Sequence, residues 1–279
     1  MLVNLNDVLI PAAENHYAVG LFNAVNMEMA RGIIEAAEEM RSPVIIGTAQ
    51  ILLPYGPLEL VAGMLIPMAK AASVPVVVHF DHGLDLPTCQ KALDLGFSSV
   101  MYDCSTKSYE ENVEQVKAMA ERAHFCNGTI EAELGHVGNA GEEQKTAADF
   151  YTQPEQARDF VCRTGVDALA IAVGTAHGAY KAKPCLDFNR IREIRDITHI
   201  PLVLHGGSGL SDEDFKQAIQ CGISKINIFT DIDLAAARGA EAGIRAGKTM
   251  LTQLIPLEIQ AVKEETKKKM ELFGSCGKA

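Results

Sequence analysis

The 279-residue sequence has no glycine-rich dinucleotide fingerprint, no CxxC pair, no apolar run of membrane-spanning length and a shortage of positive charge. Its most apolar region, from Leu58 to Phe80, is cut by Pro67, Lys70, Ser73 and Pro75 before it reaches the roughly 18 apolar residues of a membrane helix. No membrane association is expected. The first residues join no basic end to an apolar core, since Asn4, Asn6 and Asp7 interrupt them, so no secretory signal is read and a cytoplasmic location is expected. With 25 Lys and Arg against 36 Asp and Glu, the formal charge of −11 argues against a nucleic-acid surface. A local anion site needs only a few backbone N–H groups and stays open. Cys89, Cys104, Cys126, Cys162, Cys185, Cys221 and Cys276 are odd in number and scattered, as suits reduced thiols. What remains is 48% hydrophobic and 22% charged, the composition of a globular chain.

Along that chain, short apolar or β-branched runs alternate with helical spacing. The strand readings are Ala18–Asn23, Pro43–Thr48, Val76–Phe80, Ser99–Tyr102, Thr129–Leu134, Ala168–Val173, Leu202–His205 and Lys225–Ile228. Between them lie helical stretches at Met27–Met40, Leu58–Ala72, Leu86–Leu95, Tyr109–His124, Pro154–Thr164 and Phe188–Thr198, then one opened by a Ser211/Asp214 capping box and one from Asp231 to Arg245. Eight strand–helix units in strict alternation imply a parallel sheet with right-handed crossovers, and in this length they match a closed α/β (β/α)₈ TIM barrel. An additional C-terminal helix, Pro256–Leu272, lies outside the count. No linker divides the chain, so residues 1–279 read as one barrel domain.

The strand C-terminal ends of such a barrel line its mouth, and this sorts the eight histidines. His16, His124 and His199 fall on the far side, and His79, inside a strand, reads as packed core. His82, His136, His177 and His205 remain at the mouth beside Asp81. Neighbouring strand residues point to opposite faces, so Asp81 and His82 share a cavity only where their strand ends. Asp81 is then an acid/base next to a metal ligand, or a turn residue bonding to local backbone. Three neutral imidazoles with an open fourth position make a catalytic zinc site, and the plain alternative is a set of hydrogen-bonded polar caps. The Gly206-Gly207-Ser208-Gly209 run after strand seven, with Thr230 as expected N-cap of the helix after strand eight, favours a phosphate. A Schiff-base route needs a lysine facing the mouth; Lys225 reads as the far end of strand eight, and Lys107 and Lys183 lie in loops.

Val78-His79-Phe80-Asp81-His82, Glu131-Ala132-Glu133-Leu134-Gly135, Gly174-Thr175-Ala176-His177-Gly178, Leu204-His205-Gly206-Gly207-Ser208-Gly209 and Lys225-Ile226-Asn227 resemble, in order, the signature blocks of class II, zinc-dependent ketose-bisphosphate aldolases. The fructose- and tagatose-bisphosphate enzymes belong to that family. The resemblance implies one catalytic Zn²⁺ held by His82, His177 and His205, with Asp81 as proton donor to the aldehyde oxygen. It implies a sugar-phosphate substrate whose dihydroxyacetone phosphate half is bound by Gly178, Gly206, Gly207, Ser208, Asn227 and Thr230. A glutamate on the loop after strand five, Glu142 or Glu143, matches the base that takes the donor's proton. Asp103 and Glu133 match carboxylates near a second metal position, for a divalent or monovalent cation; read alone, they are equally polar mouth residues. The acceptor aldehyde is expected towards Asn23, Thr48 and Phe229, and Phe229 departs from the polar residue many members carry there. The family forms homodimers and homotetramers. Breaking a C–C bond beside a carbonyl leaves an enediolate, whose charge a zinc ion stabilises. A barrel metal hydrolase would use the same histidines on water but needs no phosphate cradle. A non-catalytic sugar-phosphate-binding protein would need no Asp81.

Overall fold

The computed structural model describes residues 1–137, 151–176 and 184–279. Its strands are β1 (Leu2–Val3), β2 (Val19–Asn23), β3 (Val44–Ala49), β4 (Val76–Gly83), β5 (Ser99–Tyr102), β6 (Thr129–Leu134), β7 (Ala168–Ile171), β8 (Leu202–Leu204) and β9 (Ile223–Ile228). All neighbouring pairs are parallel, in the order β4-β3-β2-β9-β8-β7-β6-β5, and β5 returns to β4 to close an eight-stranded barrel. The helices are α1 (Leu5–Glu14), α2 (Met27–Met40), α3 (Leu58–Ala71), α4 (Leu86–Leu95), α5 (Tyr109–Phe125), α6 (Pro154–Thr164), α7 (Phe188–Thr198), α8 (Asp212–Cys221), α9 (Thr230–Arg245) and α10 (Leu251–Phe273). Among the described residues no helix is long and apolar enough to cross a membrane.

Period-two alternation splits the apolar residues into two layers. Ala18, Phe22, Val44, Ile46, Val76, Val78, Leu169, Ile171, Leu202 and Leu204 join the layer between barrel and helices. Val19, Leu21, Ile45, Val77, Ala168, Ala170 and Val203, on the opposite strand faces, join a second cluster inside the lumen. Helix α1 completes that inner cluster with Leu5, Val8, Leu9 and Ala12, and so stoppers the barrel at the strands' N-terminal end. Leu5 N–H donates to Thr129 Oγ1 at the start of β6, fixing the plug's depth. Burial of each such Leu or Val contributes about 1.5–3 kcal/mol.

Neither β1 nor α1 is anticipated by the sequence reading. Asn4 and Asp7, taken there as polar interruptions, are the two halves of a capping box that starts α1. Ser211 caps α8 by accepting from Asp214 N–H, but its hydroxyl, not its backbone, makes the return bond to the Asp214 carboxylate. The C-terminal helix α10 starts at Leu251, earlier than read, and packs across α9 and α2. Lys267 on α10 reaches Glu39 on α2 at 2.6 Å.

Candidate active site

Strand β4 delivers two adjacent side chains to one cavity by breaking its own alternation. Phe80 pairs with Val100 and Gly83 with Tyr102, so three steps on β4 oppose two on β5. At the bulge His82 has φ 45°, left-handed backbone that few non-glycine residues adopt. The strand thus continues past Phe80, where the sequence reading ends it, and Asp81 and His82 both serve the mouth. Asp81 is buried; its Oδ2 accepts from Asn23 Nδ2 at 2.8 Å and its Oδ1 from Asn227 Nδ2 at 3.1 Å. Burial alone would raise its pKa, but the positive charges of His82 and Lys225 outweigh that and hold it well below the usual carboxylate range.

The His82 and His205 rings lie 4.6 Å apart, centroid to centroid, inclined at 61°. His82 Nδ1 is 3.0 Å from Asp103 Oδ2, and Asp103 also accepts from Ser105 N–H. His205, directly after β8, is buried between two carboxylates, with Nε2 2.8 Å from Glu131 Oε1 and Nδ1 3.0 Å from Glu133 Oε2. Burial would lower its pKa; the two glutamates reverse this and push it up to about 10. Asp81, His82 and His205 each offer a ligand atom within 4.8 Å of the others, as do His82, Asp103 and Glu133. This donor set fits a divalent cation: imidazoles and carboxylates converge, and Glu131 and Glu133 orient the His205 ring through its two nitrogens. His136 also reaches the mouth, 3.2 Å from Ser105 Oγ. His177, Gly178, Glu142 and Glu143, named from the sequence, lie outside the described residues.

Beneath the mouth the lumen holds Glu131 and Lys225, which the sequence reading did not place in the site, beside Glu133, which it did. Glu131 and Glu133 are two apart on β6, so both face inward, and that spacing was the available signal. Burial would raise the Glu131 pKa, but Lys225 and His205 bring it down to about 2. The reading of Lys225 as the far end of its strand is corrected. Strand β9 begins two residues earlier, at Ile223, which places Lys225 mid-strand on the inward face with its side chain wholly buried. Its Nζ lies 2.7 Å from Glu131 Oε2 and donates to Asn227 Oδ1 at 2.8 Å, so it is engaged below the mouth and not presented to a substrate as a Schiff-base nucleophile. His79 is buried as expected, bonded to Ser99 Oγ at 2.8 Å, and burial together with Lys225 pulls its pKa down to about 3.

On the other side of the mouth the loops after β7 and β8 touch. A Cβ on Gly206 (φ 66°) would lie 2.3 Å from Ala176 O, so this approach needs glycine. Thr175 Oγ1 and Ser208 Oγ are buried there with no hydrogen-bond partner among the described residues. Thr230 is not the N-cap of its helix: it is the first residue of α9, and Phe229 is the cap, whose side chain makes no capping bond. Of the acceptor-side residues, Asn23 meets Asp81, whereas Thr48, by alternation, shares the helix-facing side of β3 with Ile46.

A parallel barrel with buried carboxylates and histidines gathered at its mouth is the frame of a metal-assisted barrel enzyme. Residues 3–278 match the family model described as "Fructose-bisphosphate aldolase class-II". The chain is 42% identical over 311 residues to a fructose-bisphosphate aldolase of Thermus caldophilus, covering 100% of both, and 38% identical over 287 residues to that of Staphylococcus aureus (strain Mu50), covering 100% of this chain and 99% of that one. The crystal structure of the YdjI aldolase from Escherichia coli K12 superposes with a TM-score of 0.91 at 39% identity, covering 100% of each chain. The chain belongs to the class II fructose-bisphosphate aldolase family. It is an aldolase, a carbon–carbon lyase acting on a sugar phosphate, in a family that is generally zinc-dependent.

Proposed function

We propose that this chain reversibly cleaves a ketose 1,6-bisphosphate of the fructose or tagatose type, or a related ketose 1-phosphate, into dihydroxyacetone phosphate and an aldehyde. We further read residues 1–279 as one catalytic domain, working in the cytoplasm as a homodimer or homotetramer. The observation that carries the reading is the buried Asp81 carboxylate, fixed by Asn23 and Asn227 beside the His82–His205 pair. His82 and His205, with His177 as third ligand, would hold one zinc ion; Asp103 and Glu133 flank a second cation position. When bound, the metal supplies Lewis-acid stabilisation of the negative charge left on the donor half after the C–C bond breaks.

The remaining steps fall to the chain's own groups. Asp81, ionised and clamped by two amides, takes the proton of the substrate hydroxyl during cleavage and returns it to the aldehyde oxygen during condensation. Glu142 or Glu143 moves the proton at the donor's carbon. The backbone of Gly178, Gly206 and Gly207, the hydroxyls of Ser208 and Thr230 and the uncapped start of α9 receive the donor's phosphate. Supporting this, Ser208 Oγ is buried without a partner where such a group would sit. Asn227 lies towards the donor, and Asn23 towards the aldehyde.

The test is a panel of aldehydes, phosphorylated and not, offered with dihydroxyacetone phosphate while C–C bond formation is followed. Condensation with at least one is expected, and Asp81→Ala should lower the rate by about 10² or more while metal content and donor binding hold. Absence of condensation with every aldehyde, or an Asp81→Ala variant as fast as the parent, refutes the reading.

A further inference from the structure

An asparagine can present either end of its amide to a neighbour, and nothing in Asn227 itself selects the one that suits Asp81. Its oxygen turned towards the carboxylate would repel it; its nitrogen donates. The selection comes from below. Lys225 Nζ has hydrogens to give and no lone pair to offer, and it donates to Asn227 Oδ1 at 2.8 Å. With the oxygen taken, Asn227 Nδ2 is left for Asp81 Oδ1 at 3.1 Å.

The lysine is in turn anchored. Glu131 Oε2 lies 2.7 Å from Nζ, and both side chains are fully buried. The other Glu131 oxygen meets His205 Nε2 at 2.8 Å, so one carboxylate joins the support of Asp81 to that of His205. His79 fills the space between, its Nε2 3.9 Å from both Asp81 Oδ1 and Glu131 Oε2. Packing alone does not call for a charge at this level. Lys225 is paired in register with Val19 on β2 and Val203 on β8, both apolar and inward-facing. A buried ion pair commonly adds no stability over apolar residues of similar volume, because desolvating both charges costs several kcal/mol. The pair therefore has a role that apolar packing does not fill.

We propose that Lys225 is a positioning residue for Asp81: anchored by Glu131, its ammonium fixes the Asn227 amide so that its N–H side faces the Asp81 carboxylate. This rests on the reading of Asp81 as the group that serves the aldehyde oxygen. It separates two proton transfers of one reaction. Proton exchange at the donor's carbon is served by Glu142 or Glu143 and does not pass through Asp81; C–C cleavage does.

The test compares the parent with Lys225→Met, with Lys225→Gln, and with the paired Lys225→Met/Glu131→Gln, which leaves no lone buried charge and so protects folding. Metal content, circular dichroism, donor KM, cleavage kcat and solvent exchange of the donor's carbon-bound proton without aldehyde are measured on each. Cleavage kcat should fall at least about tenfold in Lys225→Met, the scale of a mispositioned acid/base, with donor KM and proton exchange within about threefold of the parent; the pair, which also touches His205, should show at least the same fall in cleavage with its fold intact. Lys225→Gln restores a donor towards Asn227 and should recover part of the loss. Placed in an Asp81→Ala background, Lys225→Met should slow cleavage no further. The inference is overturned if exchange falls in step with cleavage, if Lys225→Met cleaves like the parent, or if its effect persists in full without Asp81. An Asp81→Ala variant that cleaves normally would instead remove the reading beneath it.

Discussion

The two halves of the barrel lumen share strands β2, β4 and β8, yet they have opposite chemistry. Towards the N-terminal ends, Val19, Leu21, Ile45, Val77, Ala168, Ala170 and Val203 close on Leu5, Val8 and Leu9 of α1 without a charge among them. Further along β2, β4 and β8, and on the inward faces of β6 and β9, stand Asn23, His79, Asp81, Glu131, His205, Lys225 and Asn227, bonded mainly to one another. Side-chain polarity changes at the boundary, and on β4 the backbone changes too, at the His82 bulge. The lower half makes a dry, immobile floor, and the upper half can then hold ionised groups at fixed distances, where electrostatic effects are strong.

The largest blow to the upper half is His205→Ala. It removes a proposed metal ligand and the group shared by Glu131 and Glu133, so metal content should fall and cleavage drop on the order of 10³-fold, several kcal/mol of charge stabilisation. Retained metal and rate would move the centre elsewhere. The matching change below is Leu9→Ala, at a fully buried plug residue: unfolding free energy should drop by about 2–5 kcal/mol in denaturant titration, with kcat at a permissive temperature unaltered. A comparable loss of kcat would mean that the floor is not separable from the site. A milder change is Asp103→Ala, which deprives His82 Nδ1 of its carboxylate and should weaken metal affinity by about 10–100-fold in a competitive chelation assay. Smallest is Ser99→Ala, at the boundary itself, where loss of the His79 Nδ1 partner should cost about 1 kcal/mol and little activity. A larger loss of rate than of stability would place His79 with the upper half.

The boundary also divides what the sequence displays from what it hides. The barrel was legible because its outer-facing strand residues are apolar in every unit, and Asp81, His82 and His205 because strand ends are where a barrel exposes function. The bulge at His82 left no mark, since a left-handed residue there is a histidine and not a glycine. Lys225 misled for a physical reason: a lysine on a strand is normally a solvated end, and only its pairing with a glutamate from a strand far away in sequence makes mid-strand burial tolerable. The plug helix was concealed by its own start signal, Asn4 and Asp7 looking like polar chain when they are a cap. The cue only half used was the pair Glu131 and Glu133: Glu133 was matched to a second metal position, but the strand spacing that turns Glu131 into the same lumen was not followed.

The stopper also has a history during synthesis. Helix α1 emerges from the ribosome before any of the eight strands that will surround it, whereas the ring cannot shut until β9 pairs with β2, Val19 against Lys225. At about 5–20 residues per second that interval is on the order of ten to forty seconds. Throughout it the apolar face of Leu5, Val8 and Leu9 has no lumen to enter. The nascent chain therefore carries this apolar helix well ahead of the lumen that encloses it, and chaperone engagement during translation should extend to Leu5–Glu14 until β9 is made.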